Sequence, residues 1–334
     1  MKVVDLFCGC GGLSLGFQNA GFEIIAAYDN WEAALNVYKQ NFDHPAGNID
    51  LSNISESAEV IGNHRPDMII GGPPCQDFSS AGKRNEEGGR GDLTVCYAKI
   101  INEIRPKWFV MENVARITQT QKLVEAKDIF HKAGYGLSQF VLDASLCGVP
   151  QKRKRFFLIG KLHETDNFMN PFVMEGLANK PMTLRDYFGD TLGLEYYYRH
   201  PRSYARRGIF SIDEPSPTVR GVNRPMPEGY QIHTNDPVKS KEGIRPLTTI
   251  ERSYIQTFPK DFSFVGNKTA VEQMIGNAVP VNLANFVANA IKKYLNKPHY
   301  QRSLEIDFEN QNIEQRLARY VSEPSPKGNY KTKK

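Results

Sequence analysis

Residues 1–12 read MKVVDLFCGCGG, an apolar segment that runs directly into a glycine-rich turn. Apolar residues at helical spacing follow at once, so residues 13–20 are predicted to form a helix. Glycines at such a strand-to-helix turn let the backbone approach a bound cofactor closely. The dinucleotide fingerprint requires glycine at position 14, where this chain has Ser14, so the turn is not that of an ordinary NAD or FAD site.

The same alternation of apolar strands and amphipathic helices continues to about residue 160. Strands are predicted at 3–7, 23–28, 67–70, 108–111, 138–142 and 155–159, and helices at 13–20, 31–40, 93–104 and 121–133. This alternation predicts an α/β fold with a doubly wound, mostly parallel sheet. Only the last two strands follow each other closely, which indicates a hairpin at one edge of the sheet.

A second, smaller and loop-rich domain is predicted at 170–245, where proline, glycine, tyrosine and arginine replace the periodic pattern. Helical periodicity returns at 249–258 and 281–295. We therefore predict one catalytic domain from 1–165 and 246–300. Residues 301–334 form a charged tail that is expected to be partly disordered, with a candidate helix at 313–321.

The cationic residues are clustered rather than evenly spread. The net charge is only +5, but residues 152–155 are four consecutive cations and six arginines lie between 199 and 224. Either patch alone fits a solvated basic face. Because arginine offers a planar fork to phosphate oxygens, two such patches favour a phosphate-bearing partner.

The cysteines and the hydropathy pattern limit the compartment. Five cysteines without regular spacing do not form a disulfide framework and favour a reducing cytoplasm. Cys8 and Cys10 are too close together for a usual zinc site, so no metal is expected. No apolar run reaches about 18 residues, and the N-terminal residues make a poor signal peptide, so neither a membrane span nor export is predicted.

Chemically active side chains follow three of the predicted strands. Asp29 ends the second strand, where a carboxylate can grip ribose hydroxyls; Cys75 follows the third, within GGPPCQDFS (71–79); and Glu112 ends the fourth. Taken singly, Cys75 fits a buried thiol and Glu112 a solvated or capping carboxylate. Because the carboxyl ends of parallel strands share one sheet edge, a thiol and a carboxyl beside a cofactor cavity predict a reaction centre.

Short motifs in a fixed order now identify a family that the chain resembles. They are Phe-x-Gly-x-Gly-Gly (7–12), Pro-Cys-Gln-x-Phe-Ser (74–79), Glu-Asn-Val (112–114), Gln-x-Arg-x-Arg (151–155) and Gly-Asn-Ala-Val-Pro (276–280). The chain resembles a bacterial DNA (cytosine-5)-methyltransferase of the type II restriction–modification kind. The resemblance implies a Rossmann-like methyltransferase sheet, with residues 170–245 as the target recognition domain.

The resemblance also implies a reaction. The target cytosine leaves the duplex, and the Cys75 thiolate attacks its carbon 6. Glu112 hydrogen-bonds the exocyclic amine and ring nitrogen 3, while Arg153 and Arg155 bind the carbonyl oxygen of the base. S-adenosylmethionine donates the methyl group to carbon 5 and leaves as S-adenosylhomocysteine.

The family motifs assign further residues to the cofactor and to DNA. Cofactor residues are expected at Phe7, Gly9, Gly11, Gly12, Asp29, Asn30, Trp31, Asn48, Ile49, Gly72, Leu93, Asn277 and Val279. DNA contacts are expected at Ser79, Lys83, Arg84, Arg220 and Arg224. The family usually has glutamate and then an aromatic residue at 29–30, so whether Trp31 stacks on the adenine stays open, as does a role for Trp31 in the core.

Other functions fit part of the sequence. The nearest is a tRNA cytosine-5 methyltransferase of the DNA-enzyme-like type, which the long, arginine-rich segment 170–245 disfavours. A DNA-binding relative without activity would be expected to lose Cys75 or Glu112, and an NAD-dependent oxidoreductase is disfavoured by Ser14. We expect double-stranded DNA as the partner, a cognate restriction endonuclease in the same system, no membrane association, and a monomer.

Overall fold

The computed structural model describes residues 1–74, 92–201, 203 and 205–297. The predicted residues Cys75, Ser79, Lys83 and Arg84 lie outside the described residues, as does the candidate helix at 313–321.

A seven-stranded sheet with the order β3-β2-β1-β4-β5-β8-β6 forms the centre of the molecule. Its strands are β1 (Lys2–Leu6), β2 (Glu23–Asp29), β3 (Ala46–Asn48), β4 (Met68–Gly71), β5 (Trp108–Val114), β6 (Tyr135–Asp143) and β8 (Lys154–Leu162). The first five in this order are parallel, and β8 runs antiparallel to both β5 and β6. The predicted α/β class and the hairpin at one edge are thereby confirmed.

Helices cover both faces of this sheet. They are α1 (Gly12–Asn19), α2 (Glu32–Asn41), α3 (Ile54–Gly62), α4 (Leu93–Ile104), α5 (Gln121–Lys132), α6 (Asn170–Gly176), α7 (Leu184–Phe188), α8 (Thr249–Ile255), α9 (Lys268–Asn277) and α10 (Val281–Asn296). Successive strand residues point to opposite faces, so Val3 packs in the core with α1 and α10, while Val4 packs in the core with α4 and α5. Within the described ranges, no helix is long and apolar enough to cross a membrane.

A smaller core lies beside the sheet. It joins side chains of segment 184–247 to Ile255 of α8 and to Val271 and Ile275 of α9. Three short strands belong to this region: β9 (Tyr196–Tyr198), β10 (Ile209–Ser211) and β11 (Ser216–Pro217). Because this core includes residues on both sides of position 246, the division into a catalytic and a recognition domain stays a prediction.

Several elements were not predicted, and each has a local reason. Strand β3 has the sequence Ala-Gly-Asn, which has little β-propensity, and it forms only because β2 offers it an edge to pair with. Strand β7 (Gln151–Lys152) pairs in parallel with β11. The paired residues lie 65 positions apart in the sequence, so no local pattern could predict this strand. Helix α3 carries four polar residues among its first six, ISESAE, which weakened the apolar periodicity.

Helix α1 packs against α10 so closely that glycine is required at position 16. A Cβ atom there would lie 2.3 Å from Ala284 Cβ and 2.6 Å from the carbonyl oxygen of Val281. We expect Gly16→Ala to lower the free energy of unfolding by about 1–3 kcal/mol, because the helices must separate.

The matched control is Gly62→Ala in α3, where the nearest atom to a new Cβ is 4.0 Å away. This variant should unfold at a urea concentration equal to or above that of the wild type, because alanine favours the helix by up to about 1 kcal/mol. Equal urea midpoints for the two variants would contradict the close packing of α1 on α10.

Candidate active site

A cavity of about 400 Å³ opens at the carboxyl edge of the parallel strands. Its walls come from the ends of β1, β2, β4 and β5 and from segment 274–279, which precedes α10. Many of the predicted cofactor residues line it: Phe7, Gly9, Gly12, Asp29, Asn30, Trp31, Gly72, Leu93, Asn277 and Val279. Sheet topology brings the four strand ends together, and the packing of segment 274–279 against them adds residues such as Val279, 270 positions after Gly9.

The carboxylate of Asp29 fixes the shape of the glycine turn. Its Oδ2 accepts a hydrogen bond from the Gly9 N–H at 2.8 Å, and its Oδ1 accepts one from the Trp31 N–H at 2.8 Å. Each carboxylate oxygen has a second lone pair, so Asp29 can also accept from a ligand hydroxyl. Trp31 both lines the cavity and packs against an apolar cluster, so its two predicted roles are compatible.

Glycine is required at the start of α1 because of a backbone contact. A Cβ at Gly12 would lie 2.2 Å from the carbonyl oxygen of Val279. The turn before it includes Gly9 at φ +54° and Gly11 at φ +98°, a region that glycine occupies without strain. The turn and segment 276–280 therefore meet backbone to backbone and form one continuous wall.

A buried hydrogen-bond chain supports the turn from below. The Ser14 hydroxyl donates to Asp5 Oδ2 at 2.6 Å, the Tyr38 hydroxyl donates to Ser14 Oγ at 2.7 Å, and Tyr38 Oη lies 2.7 Å from His44 Nε2. Burial raises the pKa of Asp5 from 3.8 to about 8, against the lowering effect of the Ser14 hydrogen bond. Ser14, which departs from the dinucleotide fingerprint, thus links β1 to α1 and α2.

Glu112 and Arg155 face each other at the other end of the cavity. Arg155 Nε lies 3.0 Å from Glu112 Oε1, and both side chains are largely buried. Burial raises the pKa of Glu112 above its ordinary value, while the charges of Arg155 and Arg153 oppose that rise. The site therefore contains a carboxyl group that keeps a proton more readily than one in water.

Glu112 lies inside β5 rather than at its end, which corrects the prediction. The parallel pairing of β4 with β5 stops at Gly71 and Met111, but the antiparallel pairing with β8 continues to Val114. The longer neighbour β8 therefore keeps β5 extended for three more residues. Glycine at position 72 leaves room for the Glu112 carboxyl, because a Cβ there would lie only 3.1 Å from Glu112 Oε2.

Asn113 positions the chain that leads to Cys75. Its Nδ2 donates to the carbonyl oxygen of Pro73 at 2.9 Å, and its Oδ1 accepts from the Val114 N–H at 2.8 Å. Pro74 lines the cavity and immediately precedes Cys75 in the sequence. The last described residue before Cys75 therefore lies in the same cavity as Glu112 and Arg155.

Three predicted cofactor residues do not line the cavity. Asn48 ends the edge strand β3 and is exposed, while Ile49 is 8% exposed and packs in the core beneath the sheet. Gly11 faces away from the cavity, because a Cβ there would lie 2.3 Å from the Phe42 ring. Its role in this structure is to shape the turn rather than to line the site.

The prediction that Arg153 contacts the base is also not supported by its position. The side chain is 1% exposed, and its guanidinium donates to the carbonyl oxygens of Val219, Gly276 and Ala278 at 2.9–3.0 Å. These bonds turn it away from the cavity and into the packing between β8 and the smaller core. The sequence could not separate Arg153 from Arg155, because both are arginines of one motif; only the structure shows that Arg153 lies between β7 and β8 while Arg155 lies in β8.

Residues that the sequence did not select complete the lining. They are Cys8, Cys10, Leu13, Pro73, Pro74, Asn113, Val114, Met274, Gly276 and Ala278. Most are immediate neighbours of predicted residues, so the motifs themselves indicated them. Met274 is different, because only the packing of α9 beside the turn brings it to the cavity.

The predicted DNA contacts in the smaller region lie on one short segment. Arg224 is exposed, and Arg220 is half-buried with its guanidinium donating to the carbonyl oxygen of His200. Val222 between them is 59% exposed. Contact of Arg220 and Arg224 with DNA stays a prediction.

The sheet, the glycine turn and the carboxyl edge define an α/β enzyme of the Rossmann-like methyltransferase type. A family model for C-5 cytosine-specific DNA methylases matches residues 1–293. The chain therefore belongs to this family, and it is a DNA (cytosine-5)-methyltransferase.

Individual relatives agree with the family. The type II methyltransferase M.HindV of Haemophilus influenzae is 63% identical over 300 residues, which cover 89% of this chain and 98% of the relative. The type II methyltransferase M.HgiDI of Herpetosiphon aurantiacus is 56% identical over 302 residues, covering 90% and 97%.

Solved structures show the same fold. A putative DNA modification methyltransferase from an E. coli prophage superposes with a TM-score of 0.64 at 23% identity, covering 89% of this chain and all of that one. The S. pombe Dnmt2 methyltransferase gives a TM-score of 0.68 at 16% identity, covering 89% and 99%.

The buried carboxyl of Asp5 should make stability depend on pH. Its pKa is about 8 in the folded chain against 3.8 ordinarily, so between these values the folded state holds a proton that the unfolded state releases. Stability should therefore fall as pH rises towards 8, by about 1 kcal/mol per pH unit from this group. Asp5→Asn should flatten that slope in urea unfolding measured at pH 5, 6, 7 and 8.

Asp128→Asn on the exposed face of α5 makes the same charge change and serves as the control, with the slope expected to match the wild type. A wild-type slope in Asp5→Asn would show that Asp5 does not bind a proton on folding.

Proposed function

We propose that this enzyme transfers a methyl group from S-adenosylmethionine to carbon 5 of a cytosine in a short, specific duplex DNA sequence, through a covalent bond to Cys75. One observation carries the proposal: a single cavity is lined by the Asp29-stabilised glycine turn, by Glu112 and Arg155, and by Pro74, which precedes Cys75. The proposed cofactor end and the proposed base-binding end therefore belong to one cavity.

The described residues fit the proposed cofactor. A cavity of about 400 Å³ is within the usual size of small-ligand sites. The backbone around Gly9 is open, with no atom within 4 Å of a Cβ built there, and Asp29 can accept from ribose hydroxyls. Phe7 and Trp31 offer apolar surface for the adenine. Bound there, S-adenosylmethionine would supply an electrophilic methyl group.

The proposed reaction at the base depends on the carboxyl group of Glu112 and on the neighbouring cation of Arg155. Stacked neighbours cover both faces of a base inside a duplex, so a thiolate can attack carbon 6 only after the cytosine has been flipped into the cavity. The Cys75 thiolate forms a bond to carbon 6, and Glu112 donates a proton or hydrogen bond to ring nitrogen 3, so that charge does not build up on the ring. After methylation a base removes the carbon-5 proton, and the bond to Cys75 breaks to restore the double bond.

The hydrogen bonds of Arg155 suit its proposed role. Its Nε holds Glu112, and its Nη1 donates to the carbonyl oxygen of Lys154 at 2.9 Å. Among the described residues its Nη2 has no hydrogen-bond partner, so this group is available for the carbonyl oxygen of the cytosine. The same cation therefore orients the carboxyl and binds the substrate.

The proposed substrate is duplex DNA rather than tRNA. Relatives at 56–63% identity are type II methyltransferases, and the exposed Arg224 with the neighbouring Arg220 offers cations beside the cavity. Protection from a cognate restriction endonuclease, action in the cytoplasm, activity as a monomer and independence from metals belong to the same proposal.

Bisulfite sequencing of DNA from cells expressing this chain tests the proposal. We expect 5-methylcytosine at one position of a short sequence, and none with Cys75→Ser, because the hydroxyl is a far weaker nucleophile than a thiolate. Cys147→Ala, which changes a buried cysteine outside the cavity, is the control and should retain methylation. Full methylation by Cys75→Ser would exclude the covalent mechanism, and methylation of tRNA but not of duplex DNA would exclude the substrate.

Glu112→Gln tests the acid. Glutamine keeps the shape but cannot transfer a proton, so kcat should fall by about 10²–10⁴-fold in methyl transfer from labelled S-adenosylmethionine. Glu125→Gln on α5 is the control, because Glu125 is exposed and lies outside the cavity. A kcat within threefold of wild type for Glu112→Gln would remove Glu112 from the mechanism.

A further inference from the structure

The backbone N–H and carbonyl groups of Val219 are both held by side chains of residues 151–153, which are β7 and the residue that follows it. Its N–H donates to Gln151 Oε1 at 2.8 Å, and its carbonyl oxygen accepts from Arg153 Nη1 at 3.0 Å. Val219 itself is 5% exposed and belongs to the smaller core. The segment that carries Arg220 and Arg224 therefore begins at a fixed point inside the protein.

The same side chains also hold the wall of the cofactor cavity. Arg153 Nη2 donates to the carbonyl oxygens of Gly276 and Ala278 at 2.9 and 3.0 Å. Gln151 Nε2 donates to Gln256 Oε1 at 2.7 Å. Gln256 Nε2 then donates to the carbonyl oxygens of Ile275 and Ala278 at 2.6 and 3.0 Å.

This network is buried throughout. Gln151 and Gln256 are 0% exposed and Arg153 is 1% exposed. Water cannot replace a broken bond at such a site, so each donor that loses its carbonyl costs about 1–3 kcal/mol. The polar groups depend on one another for their hydrogen bonds. Segment 219–221 and the cavity wall at 275–278 therefore keep a fixed relative position or move together.

The two segments also touch directly. A Cβ at Gly276 would lie 2.1 Å from the Gly221 N and 2.3 Å from the carbonyl carbon of Arg220. Gly276 lines the cavity on its other side. A displacement of residues 219–221 on binding DNA would therefore reach the cofactor wall without any intervening residue.

We propose that Gln256 and Arg153 are positioning residues that couple the binding of duplex DNA to the binding of the cofactor. The proposal rests on the function proposed above. Filling the cavity fixes residues 275–279, and the network then fixes segment 219–221 in the position that binds DNA. Coupling of this kind is reciprocal, so bound DNA tightens cofactor binding by the same factor.

The test measures the affinity of S-adenosylhomocysteine with and without DNA by isothermal titration calorimetry. The DNA is a duplex oligonucleotide carrying the site found by bisulfite sequencing, and the product analogue prevents turnover. We expect the wild type to bind S-adenosylhomocysteine at least about fivefold more tightly with the duplex present, within the usual range of coupling between two sites.

Gln256→Met keeps the length of the side chain but removes both donors and the acceptor for Gln151. The affinity for S-adenosylhomocysteine with the duplex should exceed the affinity without it by less than twofold. The affinity for S-adenosylhomocysteine without DNA should differ from the wild-type value by less than threefold. A purely structural role would lower stability and both affinities together and leave the ratio unchanged. Gln139→Met, at an exposed position of β6, is the matched control and should keep the wild-type ratio.

Arg153→Lys provides a second variant, because lysine keeps the charge but cannot reach three carbonyl oxygens in two segments. It decides the outcome if Gln256→Met does not fold. A wild-type ratio in either folded variant, or a ratio of one in the wild type, would overturn the proposal. Absence of DNA methylation by the wild type would instead contradict the proposed function, so the two failures are distinguishable.

Discussion

The contact between Gly12 and the carbonyl oxygen of Val279 is the constraint on which the site depends. It brings the start of the sheet and the start of α10 to backbone contact, which no side chain at position 12 would permit. Phe7, Gly9 and Asp29 lie on one side of this contact, and Asn277 and Val279 lie on the other. The close approach continues along α1, where Gly16 meets Ala284 and the carbonyl oxygen of Val281 of α10.

Electrostatics divides the cavity into two ends with different chemistry. At the glycine turn, the Asp29 carboxylate accepts hydrogen bonds from two backbone N–H groups, which fixes the shape of the turn. It also retains lone pairs that can accept from a ligand. At the other end, burial pushes Glu112 towards its protonated form while Arg155 resists that change. Glu112 can therefore supply a proton, and the Arg155 cation can donate hydrogen bonds to a carbonyl oxygen. These two groups match the ring nitrogen and the carbonyl oxygen that lie side by side on cytosine.

The residues selected from the sequence line the cavity where their placement depends on local structure. Asp29, Glu112, Arg155 and most of the glycine turn line the cavity, and each stands at a strand end or in a motif whose residue types have a direct chemical meaning. Asn48, Ile49 and Arg153 were also selected from the sequence but do not line the cavity. Their orientation depends on β3 pairing at the sheet edge and on carbonyl oxygens more than 60 residues away, and neither is visible in a linear pattern.

The sequence alone determined the α/β class, most strands and helices of the large sheet and the family, because these follow from periodicity and from short motifs. Only the tertiary structure decided which arginine reaches Glu112, which residues line the cavity, and that Gln151, Arg153 and Gln256 join the cavity wall to the recognition segment. The physical reason is burial: a buried polar group must find its partner wherever the fold places one, and that partner is set by packing rather than by distance along the chain.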